Sequence, residues 1–142
     1  MKKAISTVFS FVQMMTRTTT ENKSDKMILA KNLPMAVKSF VQQNFPKRSI
    51  AFAATGHTSK GMTYVVTLND GIQVEFNENG SWEKVDCKTW SIPANLIPTN
   101  IEAFMDDFYP CTYIVKMEKA GNGCLVTLSN LFTQKFDHLH MA

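Results

Sequence analysis

The chain is poor in the features that announce chemistry. It has no glycine-rich phosphate loop, no serine nucleophile elbow and no paired Cys–His signal, so nothing in it points to phosphoryl or acyl transfer. Its three cysteines, Cys87, Cys111 and Cys124, are odd in number and share no metal-like spacing. They read as buried or free thiols, with one disulfide in an exported protein as the alternative. No apolar run approaches the roughly 20 residues that a membrane-crossing helix needs, because the longest, Ala4–Met15, is diluted by Ser6, Thr7, Ser10 and Gln13. The folded body also lacks a net positive charge. The formal charge of +3 comes from residues 1–31, which carry six basic and two acidic side chains, whereas residues 32–142 carry nine basic and ten acidic. A nucleic-acid binder concentrates its positive charge on the folded surface, so nucleic acid is not an expected partner.

What is present is material for a core. An apolar share of 44% with 11% aromatic residues excludes a disordered chain. At 142 residues the length suits one compact domain, or two small halves sharing one core. A long internal repeat organises it. Shifted by 64 positions, Leu33, Pro34, Val37, Phe40, Phe45, Pro46 and Ile50 fall on Ile97, Pro98, Ile101, Phe104, Tyr109, Pro110 and Ile114. After a four-residue deletion, Val66-Thr67-Leu68 falls on Val126-Thr127-Leu128, Ile72 on Phe132 and Phe76 on Phe136.

The repeat predicts the same elements twice. Pro34 and Pro98 sit where a helix starts, since the missing N–H costs nothing there. Val37, Phe40 and Val41, then Ile101, Phe104, Met105 and Phe108, keep helical spacing until Pro46 and Pro110 stop each element. Helices of about three turns need a sheet to lie on. Strands are expected at Ser49–Thr55, Met62–Leu68, Ile72–Phe76 and Ser81–Asp86, punctuated by Gly56–Gly61, Asn69-Asp70-Gly71 and Asn79-Gly80. In the second copy they are expected at Ile114–Lys119, Cys124–Leu128 and Leu131–Phe136, with the fourth missing or very short. Alternation turns Tyr64, Val66, Leu68, Ile72, Val74 and Phe76 toward the helix and Thr63, Val65, Thr67, Gln73 and Glu75 away. In the first strand Ile50/Phe52 and Ala51/Ala53 are competing inward sets; the repeated pair Ile50 and Ile114 favours the former. The fold class is therefore α+β, a tandem repeat of helix followed by antiparallel β-meander, with helices packed on one face of an antiparallel sheet.

The leader, residues 1–26, starts Met1-Lys2-Lys3 before its apolar stretch, the outline of a degenerate export signal without a clean cleavage site. Ala4, Val8, Phe11, Val12 and Met15 also fall on one face of an amphipathic helix. The repeats occupy 27–88 and 89–142 as one unit. Candidate site residues are few. Asp137-His138-x-His140 offers two imidazoles without a third ligand nearby, so no metal site or cofactor is expected. Asp106-Asp107 are adjacent on a helix, point in different directions and read as solvated. The aromatics carry more, because tryptophan concentrates binding energy at interfaces. Trp82 and Trp90 have no counterpart in the second copy; Trp82 fits equally as the closure of the first core. Trp90 lies in the connector Cys87–Ala94. With Tyr113 and the loop from His57 to Lys60, they form a candidate binding rim.

Leu-Pro-x-x-Val-x-x-Phe (33–40), Asn-Phe-Pro (44–46), Tyr-Val-Val-Thr-Leu (64–68), Asp-Gly (70–71), Val-Glu-Phe (74–76), Asn-Gly-x-Trp (79–82) and the connector Ile92-Pro93 through Leu96-Ile97-Pro98 resemble the β-lactamase-inhibitor-like, PepSY-like family of small bacterial exported proteins. The resemblance covers about residues 26–140. It implies a tandem α/β repeat similar in architecture to β-lactamase inhibitory protein, a periplasmic or otherwise exported location, and no established catalytic residues. Two departures stand out: the leader is poorer than a usual export signal, and the second copy has Asn130-Leu131 in place of Asp70-Gly71 and lacks the Asn-Gly-x-Trp end. Fold does not fix function, and inhibition of a β-lactamase does not follow. The expectation is a non-enzymatic exported binding or regulatory module that contacts a cell-envelope protein, without stable membrane insertion. A small-ligand carrier with a pocket between sheet and helices is the alternative, and a cytoplasmic location follows if the leader is not a working signal.

Overall fold

The computed structural model describes residues 26–138. Residues 1–25 of the leader, which carry its export-signal and amphipathic-helix readings, and His140 lie outside the described residues. The fold is α+β. Strand β1 (Lys26–Ile28) is followed by helix α1 (Met35–Asn44), then by β2 (Ile50–Thr58), β3 (Gly61–Leu68), β4 (Gln73–Asn77) and β5 (Trp82–Asp86). Helix α2 (Thr99–Phe108) leads into β6 (Ile114–Ala120), β7 (Gly123–Leu128) and β8 (Thr133–Phe136). All eight strands form one antiparallel sheet in chain order, β1 to β8. No helix among the described residues is long and apolar enough to cross a membrane.

Each helix is bounded by prolines for a local reason. Pro34 and Pro98 occupy the cap positions with ψ of 149° and 150°. Their carbonyls accept the first helical bonds, from Val37 and Lys38 and from Ile101 and Glu102. Phe45 and Tyr109, each preceding a proline, leave the helical region at φ −134° and −138°. Neither start has a side-chain cap, and ten residues are marginal alone. The helices are therefore held by their buried stripes, Val37 with Val41 and Ile101 with Met105.

The strand register explains which side chains are inside. Ala53, Val66, Val74, Val85, Met117 and Val126 are successive cross-strand partners, and none is more than 2% exposed. The neighbouring register carries Ala54, Val65, Glu75, Lys84, Glu118, Leu125 and Lys135. One face is thus apolar and the other mixed polar, as in a sheet covered on one side. The Phe40 ring meets Phe76 edge-on with centroids 5.2 Å apart, and Phe104 meets Phe136 at the same 5.2 Å.

Strands β2 and β6 depart from simple alternation. A bulge lies between Ile50 and Phe52, and another between Ile114 and Lys116. The extra residue lets Ile50 and Ala53, three apart, both turn to the core, and likewise Ile114 and Met117. The inward set therefore combines one member of each candidate pair. Strand β2 also runs further than its β-rich stretch suggests, through Gly56 and His57 to a tight turn at Ser59-Lys60. Strand β1, within and beyond the end of the polar leader, has no alternating pattern to announce it.

The turn after β7 keeps the geometry of the turn after β3 despite its changed residues. Asp70 Oδ1 accepts the Ile72 N–H at 3.2 Å, and Asn130 Oδ1 accepts the Phe132 N–H at 3.0 Å. Gly71 sits at φ +94°, a left-handed conformation natural to glycine, and Leu131 is held at φ 75° in its place. Their surroundings differ sharply, since Ile72 is 1% exposed and Phe132 is 61% exposed. Among the described residues no strand follows β8, whereas β5 follows β4. Gly123 is required for another reason: a Cβ there would lie 1.9 Å from the Phe136 carbonyl oxygen.

Candidate binding surface

The connector after β5 is built as a tight, pinned turn. Asp86 Oδ1 accepts the Lys88 N–H at 3.0 Å, and Lys88 takes a left-handed φ of 60°. The Trp90 N–H then donates to the Cys87 carbonyl at 2.9 Å, closing the turn. The connector is also stitched to β6, since the Cys87 N–H donates to Val115 and the Ile92 N–H to Ile114, both at 2.8 Å. Further on, the Asn95 amide donates to Asn44 Oδ1 at the end of α1, at 2.6 Å.

This turn presents an aromatic pair. Trp90 is 45% exposed and Tyr113 is 47% exposed. The Tyr113 hydroxyl donates to the Thr89 carbonyl at 3.0 Å, and the Tyr113 N–H donates to Ser129 Oγ at 3.2 Å. On the other side, the Arg48 guanidinium lies over the Trp90 ring, 5.5 Å from its centroid. Arg48 Nε is itself paired with Asp70 Oδ2, the same carboxylate that organises the β3–β4 turn. A cation over an indole face contributes on the order of 0.5–1 kcal/mol at a partly exposed site. Packing against the guanidinium also restricts the orientations open to the indole, so less side-chain freedom remains to be lost on binding. The signal for Arg48 was absent from sequence spacing, because it meets Asp70 across 22 positions.

The other two candidates lie at the opposite end of the sheet. Trp82 opens β5, pairs with Phe76 and packs against the core. Lys119 Nζ stands 4.3 Å from its ring centroid. His57 is exposed near the β2–β3 turn, opposite Met62. Beside that turn is an open cleft of about 520 Å³, where Glu75, Glu83 and Glu118 are interleaved with Lys84 and Lys119. Another shallow depression, about 370 Å³, lies on the outer side of α1 around Met35 and Gln42. Neither is between sheet and helices. Thus Trp90 and Tyr113 come together through Thr89, and Trp82 and His57 are carried by the far end.

The two buried thiols are held away from the thiolate form. Burial, reinforced by the Asp86 carboxylate, pushes the Cys87 thiol from 9.0 up to about 12, and burial pushes Cys124 up to about 11. A nucleophilic cysteine needs the opposite shift. All three cysteines are free, with Cys111 exposed. Asp106 and Asp107 are exposed on α2. His138 is exposed, and its carbonyl accepts from the Asn100 amide at 2.9 Å. Among the described residues no group of three or more His, Cys, Asp or Glu side chains is gathered to hold a metal ion.

Comparisons with known proteins place this architecture. The model of the family described as "Putative beta-lactamase-inhibitor-like, PepSY-like" matches residues 62–140, from β3 to beyond β8. A crystal structure from Bacteroides thetaiotaomicron, described as a "putative calcium-regulated periplasmic protein", is 33% identical with a TM-score of 0.76, covering 82% of this chain and 94% of that one. A "putative periplasmic protein" from Bacteroides vulgatus is 30% identical with a TM-score of 0.77, covering 81% and 91%. A second from that organism, described as of unknown function, is 29% identical with a TM-score of 0.76, covering 81% and 95%. No curated protein matches the chain. With more than half of its length matched by the family model and a 33%-identical structure covered almost end to end, the chain belongs to the PepSY-like, β-lactamase-inhibitor-like family.

Proposed function

We propose that this chain is an exported, periplasmic PepSY-like module that acts without catalysis, binding a protein of the cell envelope through the connector end of its sheet. The observation that carries this reading is the setting of Trp90. A half-exposed indole is held by a cation, which is fixed by Asp70, and it stands next to a half-exposed tyrosine tied to the same turn. Pre-ordered aromatic anchors of this kind carry a disproportionate share of interface energy. Periplasmic relatives and the export-signal outline of the leader support the location.

The scaffold is, on this reading, a duplicated helix-plus-meander with α1 and α2 on the same face of the sheet. In support, the helices begin 64 positions apart, as do the two bulges, and Phe40 and Phe104 make matching contacts with Phe76 and Phe136. The duplication supplies rigidity, and the unduplicated connector supplies recognition. Affinity capture from the native envelope tests the reading, comparing the wild-type chain with Trp90→Ala and with Trp82→Ala. Loss of the captured protein with Trp90→Ala alone is expected. Equal recovery by wild type and Trp90→Ala removes Trp90 from the site.

A further inference from the structure

The edge of β8 has a specific vacancy in its ladder. Among the described residues nothing pairs with its outer side. The Leu128 N–H donates to the Phe132 carbonyl at 2.8 Å, so Phe132, Gln134 and Phe136 direct their backbone groups toward β7. Thr133 and Lys135 consequently direct theirs outward. The corresponding residues of β4, Gln73 and Glu75, pair with Asp86 and Lys84 of β5. Beside this edge stand Phe132, 61% exposed, and Leu131, 79% exposed. Phe136 is only partly buried, against 0% exposure for Phe76.

We propose that this edge is an interface with a second copy of the chain, β8 pairing antiparallel with β8 about a twofold axis at Gln134 to give one continuous sheet. The register follows from charge and backbone geometry. Centred on Gln134, Thr133 exchanges both backbone hydrogen bonds with Lys135 of the second copy, and Lys135 does so with its Thr133. Phe132 then lies opposite Phe136 of the second copy at a non-hydrogen-bonded position, where side chains approach most closely. Centring on Lys135 instead would set two ammonium groups opposite each other, which is unfavourable. Centring on Thr133 would require Leu131, at φ 75°, to extend the ladder. The edge is thus self-complementary in one register, and the two-fold contact closes on itself rather than growing into a fibre. This inference is independent of the Trp90 surface.

Sedimentation of the full chain over a concentration series tests it. A monomer–dimer equilibrium is expected. Thr133→Pro, which removes only an outward N–H and leaves the β7 ladder intact, is expected to weaken it at least about tenfold. A second variant needs no loss of binding: Gln134→Cys, made with Cys111→Ser, forms an intermolecular disulfide under oxidised glutathione, and Lys135→Cys in the same background does not. A chain that stays monomeric at every concentration overturns the proposal. So does a dimer that Thr133→Pro leaves intact and Gln134→Cys fails to cross-link. Dimerisation that appears only when residues 1–25 are removed also overturns it, by assigning the edge to the chain's own leader.

Discussion

Ile72 and Phe132 occupy the same place in two turns of matching geometry, yet they should respond very differently to truncation. Each carbonyl accepts the N–H of the leucine four residues earlier at 2.8 Å. Ile72 is 1% exposed and precedes β4, which β5 flanks in the sheet, whereas Phe132 is 61% exposed and precedes β8 at the edge. Removing a buried isoleucine down to alanine costs about 3 kcal/mol, the transfer free energy of the lost carbons plus the cavity left behind. For a folded body of this size that is a fall in Tm of roughly 12 °C. Phe132 has less than half of its surface to lose, and its surroundings are open enough to collapse, so Phe132→Ala should cost about 1 kcal/mol or less. Urea titrations of Ile72→Ala and Phe132→Ala decide it, run dilute enough that the wild-type chain is monomeric. Equal losses, or a larger loss for Phe132→Ala, would refute the argument that β5 is what buries this position.

Three further outcomes follow from the geometry. Leu131→Gly relieves a left-handed leucine whose side chain is 79% exposed; the relief of about 1–2 kcal/mol exceeds the extra freedom glycine gains on unfolding, so Tm should rise by a few degrees, and a fall in calorimetry would contradict it. Gly123→Ala drives a Cβ into the Phe136 carbonyl and should cost at least about 2 kcal/mol in urea unfolding; a neutral result would mean that β8 does not cross there. Because the folded pKa values of Cys87 and Cys124 are raised, the fold favours their protonated forms. Their contribution is complete below about pH 9 and is lost as pH climbs toward 11 for Cys124 and 12 for Cys87. Cys87→Ala should therefore flatten part of the alkaline stability loss, and an unchanged slope in pH-dependent unfolding would contradict this.

Much of the scaffold was legible because its signals are local. Proline fixes helix limits through its own ring and through the residue before it, so Pro34, Pro46, Pro98 and Pro110 mark both helices without reference to anything distant. The turns at Asn69-Asp70-Gly71 and Asn79-Gly80 announce themselves equally well. The bulges were not legible, since a bulge belongs to a pair of strands, and each candidate set in β2 satisfied alternation by itself. Arg48 was silent for the same reason. Its two partners, Asp70 and Trp90, are brought to it only when β3, β4 and the connector are in register. Tyr113 and Trp90 could be chosen as exposed aromatics, but their link through Thr89 depends on the connector pairing with β6. What the four candidates lacked in sequence was a direction along the sheet. Trp82 and Trp90 are eight residues apart, yet β5 lies between them and carries them to opposite ends.

The central claim is that recognition happens at the connector end. Photocrosslinking in the native host tests it most directly, with a photoreactive side chain placed at position 113 in one strain and at position 57 in another. The account predicts an adduct of discrete mass from position 113 that disappears with Trp90→Ala, and none from position 57. An adduct from position 57 with none from position 113 would contradict it.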